Sequence, residues 1–346
     1  MTNYTLLAFP NLLPPDPSLC VAAEQLNLWT LYLIQNNIKV VISFVSMILI
    51  IRFSLNGKFR IHDESHRLIT FKILILFVYA LNNFVTHGQL LLLRLLHGDQ
   101  PCSLVLSAFY CLPLKIIWMC VSTGLSTTLF MILLERAFVI LSQQPYPRGV
   151  WFLIFAEICA MVTLTCWALS TELVYDFQVL HCLEDTPTII PMMNVLSSFL
   201  IVIDTTTLIS AILLVFYCRW RVKKRVITSL HYSYSLRYSE MVLQAFLPII
   251  IFHTCMIYVF NVLGIIQRSF ISQIDYVTRK SLQGLFNVLP YYALVCPILY
   301  VWVLGKLRKR REHEFSSVQK PKLKGKIVPL AEIYHENLRI LWTKGE

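Results

Sequence analysis

Charge is what this chain has least of. Asp, Glu, Lys and Arg make up 14% of its 346 residues, against about 25% in soluble globular domains. Hydrophobic residues make up 57%, more apolar surface than an ordinary water-soluble core hides, so a soluble fold is excluded. CxxC pairs and His-Cys clusters are also missing, which argues against a metal site. His87 and His253 have no Hxxx(D/E) or similar companions, so a zinc-dependent membrane hydrolase lacks its ligands. Repeats and broken Gly/Pro-rich helices, expected of a transporter, are absent too. The first 28 residues carry no Lys or Arg; without a basic n-region no cleaved signal peptide is expected, and the first apolar segment serves as the insertion signal.

Long apolar runs fill most of the remainder, and a run of about 18 or more with few charges marks a membrane-spanning helix. Seven are expected, near Asn36–Phe53, Leu68–Leu93, Leu104–Ile140, Val150–Leu169, Ile190–Tyr217, Met241–Val262 and Leu282–Leu304. Polar residues crowd the start of the first, where Lys39 is expected to snorkel to the interface and Trp29 and Tyr32 to sit among headgroups. The third is longer than a bilayer is thick and must tilt or project. The expected architecture is an all-α membrane protein, a seven-transmembrane helix bundle, with an extracellular segment over 1–35, a receptor-sized bundle over 36–304 and a basic cytoplasmic tail over 305–346.

Orientation follows from the basic residues. The first, third and fifth connections and the tail hold 23 Lys and Arg, while the N-terminal segment and the second, fourth and sixth connections hold 4. By the positive-inside rule the N-terminus is outside and the tail cytoplasmic. The net charge of +11 therefore reports attraction to anionic lipid beside the spans and not nucleic-acid binding. A sequon, Asn3-Tyr4-Thr5, falls on the outer side and makes Asn3 a glycosylation candidate. An odorant-type ligand-gated channel, the alternative seven-spanning architecture alongside a transporter, has its N-terminus inside and fits the charge split poorly.

Of ten cysteines, Cys20, Cys102, Cys111 and Cys182 fall at or near the outer surface, where disulfides persist. A bridge from Cys182 to the top of the third span would restrain the loop after span four; Cys111 and Cys102 are both candidates for its partner. The others read as packing residues in apolar helices.

Three short motifs carry the functional reading. Glu135-Arg136 lies at the inner end of span three, where charges reach water or a partner. "AFLP", ending at Pro248, sits in span six, and "CPILY", containing Pro297 and Tyr300, in span seven; a proline inside a spanning helix frees a carbonyl and provides a bend. Together these resemble G-protein-coupled receptors, with departures from the rhodopsin-like pattern at Cys296 and Ala137. "LLERAFVI" and "SLHYSYSLRYSEMV" (Ser229 to Val242) resemble the nematode chemosensory serpentine receptors of the alpha superfamily, and the tail "AEIYHENLRILW" (Ala331 to Trp342) looks most like their epsilon class. The resemblance implies a non-enzymatic chemoreceptor without cofactors, in the plasma membrane of a sensory neuron cilium. It also implies a small-molecule or peptide ligand, a heterotrimeric G protein as partner, membrane lipid contacts and a receptor oligomer. Glu135, Arg136, Pro248, Pro297 and Tyr300 would form the switch, and Lys223, Lys224 and Arg225 in "CRWRVKKRV" would dock the G protein.

Polar residues within spans usually face the bundle interior, which makes Asp204, Lys115, His253 and His87 the candidate ligand contacts. Asp204 is expected about 20 Å from the inner surface and Lys115 about 31 Å above Arg136. Lys115 equally fits snorkelling to the outer interface. Asp204 equally fits a carboxyl held by Thr205 or Thr206. The closing segment, with Ile333, Leu338, Leu341 and Trp342, reads as a short amphipathic stretch lying on the membrane.

Overall fold

The computed structural model describes residues 17–57, 66–97, 100–142, 150–170, 178–180, 182–183, 189–223, 230–270 and 273–319. In apolar surroundings a backbone must satisfy its own N–H and C=O groups, and helices do so within the segment. Seven segments among the described residues are long and apolar enough to cross a membrane. Six are single helices: α2 (Thr30–Leu55), α3 (His66–His97), α4 (Ala108–Ser142), α5 (Val150–Leu169), α6 (Ile190–Lys223) and α7 (Leu230–Ser269); they are preceded by a short α1 (Pro17–Leu28). The seventh is divided into α8 (Tyr276–Phe286) and α9 (Leu289–Gln319). The break falls at Asn287 and Val288, and Pro290 follows in the first turn of α9, where a helix has no need of its missing N–H. Asp275 caps α8 by accepting from the Thr278 N–H at 2.9 Å, which holds this exposed carboxyl below its usual range.

Several boundaries differ from the expected ones. Helix α2 starts six residues before Asn36, because Gln35, Asn36 and Lys39 are buried against the bundle. The expected outer end of span three is instead a single 3-10 turn (Pro101–Leu104) followed by a strand β1 (Leu106–Ser107). Helix α7 begins eleven residues before Met241, since Leu236 and Leu243 pack with Leu133 and Ile140 of α4 and Val215 of α6. The segment expected as a plain extracellular N-terminus contains α1, whose Cys20, Ala23 and Leu26 cluster with Leu104, Leu180 and Val277.

One end of the bundle is covalently closed. Strand β1 pairs antiparallel with β2 (Gln178–Val179), Leu106 facing Val179, and lays the segment after α5 against the start of α4. Cys182 is bonded to Cys111 at the top of α4, and Cys102 to Cys20 of α1. Arg94 of α3 donates to the Asn27 carbonyl just beneath them. The opposite end carries Arg136. Between the two ends, α3 and α4 are the most enclosed helices, packing Tyr79, Leu125, Phe246, Tyr292 and Tyr300 into the central cluster. Large apolar side chains such as Phe44, Trp151, Phe155, Phe199 and Phe216 point outward, as a lipid-facing surface requires. Because lipid is as apolar as leucine, helix association gains little from apolar burial and depends on close packing and buried hydrogen bonds.

Candidate functional site

A cavity of about 100 Å³ lies at the disulfide end, between α2, α3, α4, α6, α7 and α8, with Leu183 also lining it. Its apolar wall includes Trp118, Met193, Leu196, Leu200 and Phe260; Trp118 and Phe260 meet edge to face at 6.2 Å. Its polar wall includes Asn36, Lys39, His87, Thr123, Asn261 and Asn287. Two further cations line it. Arg268, in the last turn of α7, donates from Nε to Asn194 Oδ1 at 2.7 Å and from Nη2 to Ser197 Oγ at 2.8 Å, bracing α7 on α6. Lys280 of α8 donates to Gln283 Oε1 at 3.2 Å. Gly284 allows the closest approach of α2 to α8: a Cβ there would lie 1.9 Å from Gln35 Oε1 and 3.7 Å from Lys39 Nζ.

Of the four sequence-predicted ligand contacts, only His87 lines this cavity. Its Nδ1 lies 3.1 Å from Asn36 Oδ1. Lys115 is buried on α4, 6% exposed, and does not reach the rim by snorkelling; it is not on the cavity wall. Lys39, expected to snorkel, is instead 5% exposed and on the wall. The reason is helical register: Lys39 follows Gln35 and Asn36 by four and three residues, which sets all three on one buried face.

Asp204 and His253 belong to a hydrogen-bonded column in the centre of the bundle. Ser126 donates to Asp204 Oδ2 at 3.0 Å, and His253 Nε2 lies 3.3 Å from Asp204 Oδ1. The other ring nitrogen of His253 lies 2.8 Å from the Tyr292 hydroxyl, to which Cys296 Sγ donates at 3.3 Å. Thus α4, α6, α7 and α9 are joined by one chain of polar contacts. Thr205 and Thr206 take no part in it; each is exposed and donates to a carbonyl of its own helix. Lys72 of α3 is fully buried, donates to the Leu125 carbonyl and stands within Coulombic reach of Cys296, Asp204 and Glu157. Glu157 of α5 accepts from Thr127 and Thr128.

The segment "STGLSTT" (Ser122 to Thr128) underlies both features. Ser122 and Thr123 line the cavity, while Ser126 holds Asp204 and Thr127 and Thr128 hold Glu157. Five hydroxyls in seven residues of an apolar helix were a readable signal that motif matching passed over.

At the other end Arg136 Nε lies 3.2 Å from Glu135 Oε2. The pair does not reach water as expected: Glu135 and Arg136 are 1% and 3% exposed. The packing of α7 accounts for this: Val242, Leu243 and Phe246 share with Arg136, Ile69 and Leu133 a pocket of only about 20 Å³. Phe246 meets Tyr300 edge to face at 5.9 Å, and the Tyr300 hydroxyl has no hydrogen-bond partner among the described residues. Pro248 and Pro297 lie inside continuous α7 and α9, so each helix forgoes one backbone bond there. Among the described residues, ties at this end include Arg219 of α6 to Glu240 of α7 at 3.5 Å, partly exposed, and Arg308 of α9 to the Gly57 carbonyl at 2.9 Å.

Lys223 ends α6, and its side chain is outside the described residues, as are Lys224, Arg225, Asn3 and the tail segment 331–342. Among the described residues no group of three or more His, Cys, Asp or Glu is placed to hold a metal.

Residues 22–324 match the model of one protein family, described as serpentine type 7TM GPCR receptor class ab chemoreceptor. The tail segment that looks like the epsilon class lies beyond that span. None of the curated proteins matches the chain.

Proposed function

The chain belongs to the serpentine 7TM class ab chemoreceptor family, and from that premise we propose that it binds a small extracellular ligand in the cavity at the disulfide end and signals through a heterotrimeric G protein at the Arg136 end. It is a receptor of the nematode chemosensory kind and not an enzyme. In this reading the disulfide end faces outside and the Arg136 end faces the cytosol, in the plasma membrane of a sensory cilium. The charge asymmetry of the connections supports that orientation, and so does an oxidising exterior, where disulfides persist.

The observation that carries the reading is the continuity between the two ends. Helix α7 lines the cavity with Asn261, Gly264 and Arg268, crosses the column at His253 and covers Arg136 with Val242 and Phe246. Helix α4 makes the same journey from Ser122 to Arg136, about 21 Å at 1.5 Å per residue. A ligand that binds more tightly when α6 and α7 are displaced shifts the population toward an inner face with Arg136 uncovered. Pro248, where the backbone ladder of α7 is already interrupted, is the pivot in this scheme, and Tyr300 is the neighbour that Phe246 leaves. The basic run around Lys223, Lys224 and Arg225 then meets the G protein beside the opened face.

Agonist-stimulated nucleotide exchange on a G protein, measured in membranes containing the full-length chain, tests the proposal. Stimulation that disappears in Arg136→Ala while surface expression persists is expected. Undiminished stimulation in that variant would refute the role of Arg136.

A further inference from the structure

We propose that the cavity takes a small organic anion, a carboxylate on a short apolar body, with Lys39 as its main charge contact. This rests on the receptor reading and narrows it to a ligand class. The first observation is the sign of the wall. Lys39, Arg268 and Lys280 line the cavity, and no Asp or Glu is among the described lining residues. Lys39 carries most weight: it is 5% exposed and makes no hydrogen bond or ion pair with a described residue. A buried ammonium in a bundle is costly unless something compensates it.

The second observation is independent of charge. The buried side-chain atoms on this same wall without a hydrogen-bond partner among the described residues include Asn36 Nδ2, Thr123 Oγ1, Asn261 Nδ2 and Asn287 Oδ1. Buried polar atoms are nearly always satisfied, so a cluster of exceptions calls for an occupant. His87 holds the Asn36 carbonyl oxygen, which leaves the amide N–H groups of Asn36 to the cavity. An ammonium, two amide NH2 groups and a hydroxyl outnumber the one acceptor, Asn287 Oδ1, and suit the acceptor-only oxygens of a carboxylate. A cationic ligand would meet like charge, and a neutral one would leave Lys39 uncompensated. Size limits the body. The cavity, about 100 Å³ and partly open, is smaller than the roughly 150 Å³ of an apolar cavity that admits benzene, so the body beside Met193, Leu196 and Phe260 is short.

The test uses the purified full-length receptor in lipid nanodiscs. Its thermal unfolding midpoint is followed with the sodium salts of butanoate, hexanoate and octanoate, each beside its primary amide, and with sodium chloride and sodium phosphate alone. At least one acid is expected to raise the midpoint in a saturable way while its amide does not. Lys39→Gln should weaken the apparent affinity about tenfold or more, the usual loss for a charge-assisted hydrogen bond. Lys39→Arg should keep most of it, Asn261→Ala should weaken it less, and Arg67→Gln, which removes the same charge at the opposite end, should leave it unchanged. Asn261→Ala serves as the second reading should Lys39→Gln fold poorly. An equal shift from the amide, reproduction of the shift by chloride or phosphate, or no shift from any of the three acids overturns the proposal. Binding is read without a G protein, so acids that bind but do not signal would refute the coupling while leaving the ligand class standing. Signalling by a neutral ligand with no acid binding would do the reverse.

Discussion

The two ends of this bundle are held shut by different forces. At the disulfide end the closure is covalent: Cys111–Cys182 and Cys20–Cys102 span 71 and 82 residues, a strand pair adds register, and the cavity there has an apolar wall and a polar one. At the Arg136 end the closure is a layer of apolar contacts over a buried charged pair, secured from outside by one partly exposed ion pair and one exposed hydrogen bond. Disulfides keep a binding site in one shape over many cycles. Apolar contacts over a charge are reversible, because uncovering Arg136 returns a buried guanidinium to water while the lost apolar packing opposes it. The difference assigns permanence to one end and movement to the other.

The comparison breaks most severely if Arg136 is removed. Arg136→Ala should reduce agonist-stimulated nucleotide exchange to the basal rate, measured beside surface labelling that shows the protein reaching the membrane. Next in size, Cys111→Ser should lower unfolding stability by about 2–5 kcal/mol, read from denaturation in detergent, and should loosen ligand binding at the same time. Should the variant bind and unfold like the parent chain, the permanence of that end would not depend on its cross-links.

Between the ends, Asp204→Ala removes the acceptor of Ser126 and the partner of His253. Leaving those groups unsatisfied should cost about 1–3 kcal/mol, visible as a lower unfolding midpoint. Ligand affinity should change little, since Asp204 is not on the cavity wall. The smallest effect is expected for Glu240→Ala. Its ion pair with Arg219 is partly exposed, with side chains 19% and 51% exposed, so the stability loss should stay below about 1 kcal/mol and fade with added salt. Basal nucleotide exchange should rise, because one tie between α6 and α7 at the moving end is gone. Unchanged basal exchange would place the restraint in the apolar layer alone.

Much of this molecule could be read before any coordinates. Length and hydropathy determine the seven spans, and a family match over residues 22–324 agrees with the receptor resemblance. What escaped was which way each helix faces. Lys39 near a helix end fits snorkelling as well as burial until the neighbours α3 and α8 are known. Cys102 and Cys111 lie nine residues apart, and nothing local distinguishes them as partners for Cys182; the choice is made by α1, which brings Cys20 to Cys102. Asp204 and His253, expected as ligand contacts, pair with each other, and the cavity wall is lined instead by Lys39, Arg268 and Lys280 beside His87. Side-chain direction in a bundle depends on every neighbouring helix at once, which no single segment encodes.

The central claim is that occupancy at the cross-linked end uncovers Arg136 at the other. Spin labels at Phe138 of α4 and Arg237 of α7, both exposed and close to the Arg136 end, read the separation of those helices directly in the full-length receptor. An activating ligand should lengthen that distance by several ångströms while a label pair beside the Cys111–Cys182 bridge stays fixed. A ligand that stimulates nucleotide exchange with no change between positions 138 and 237 would contradict the account.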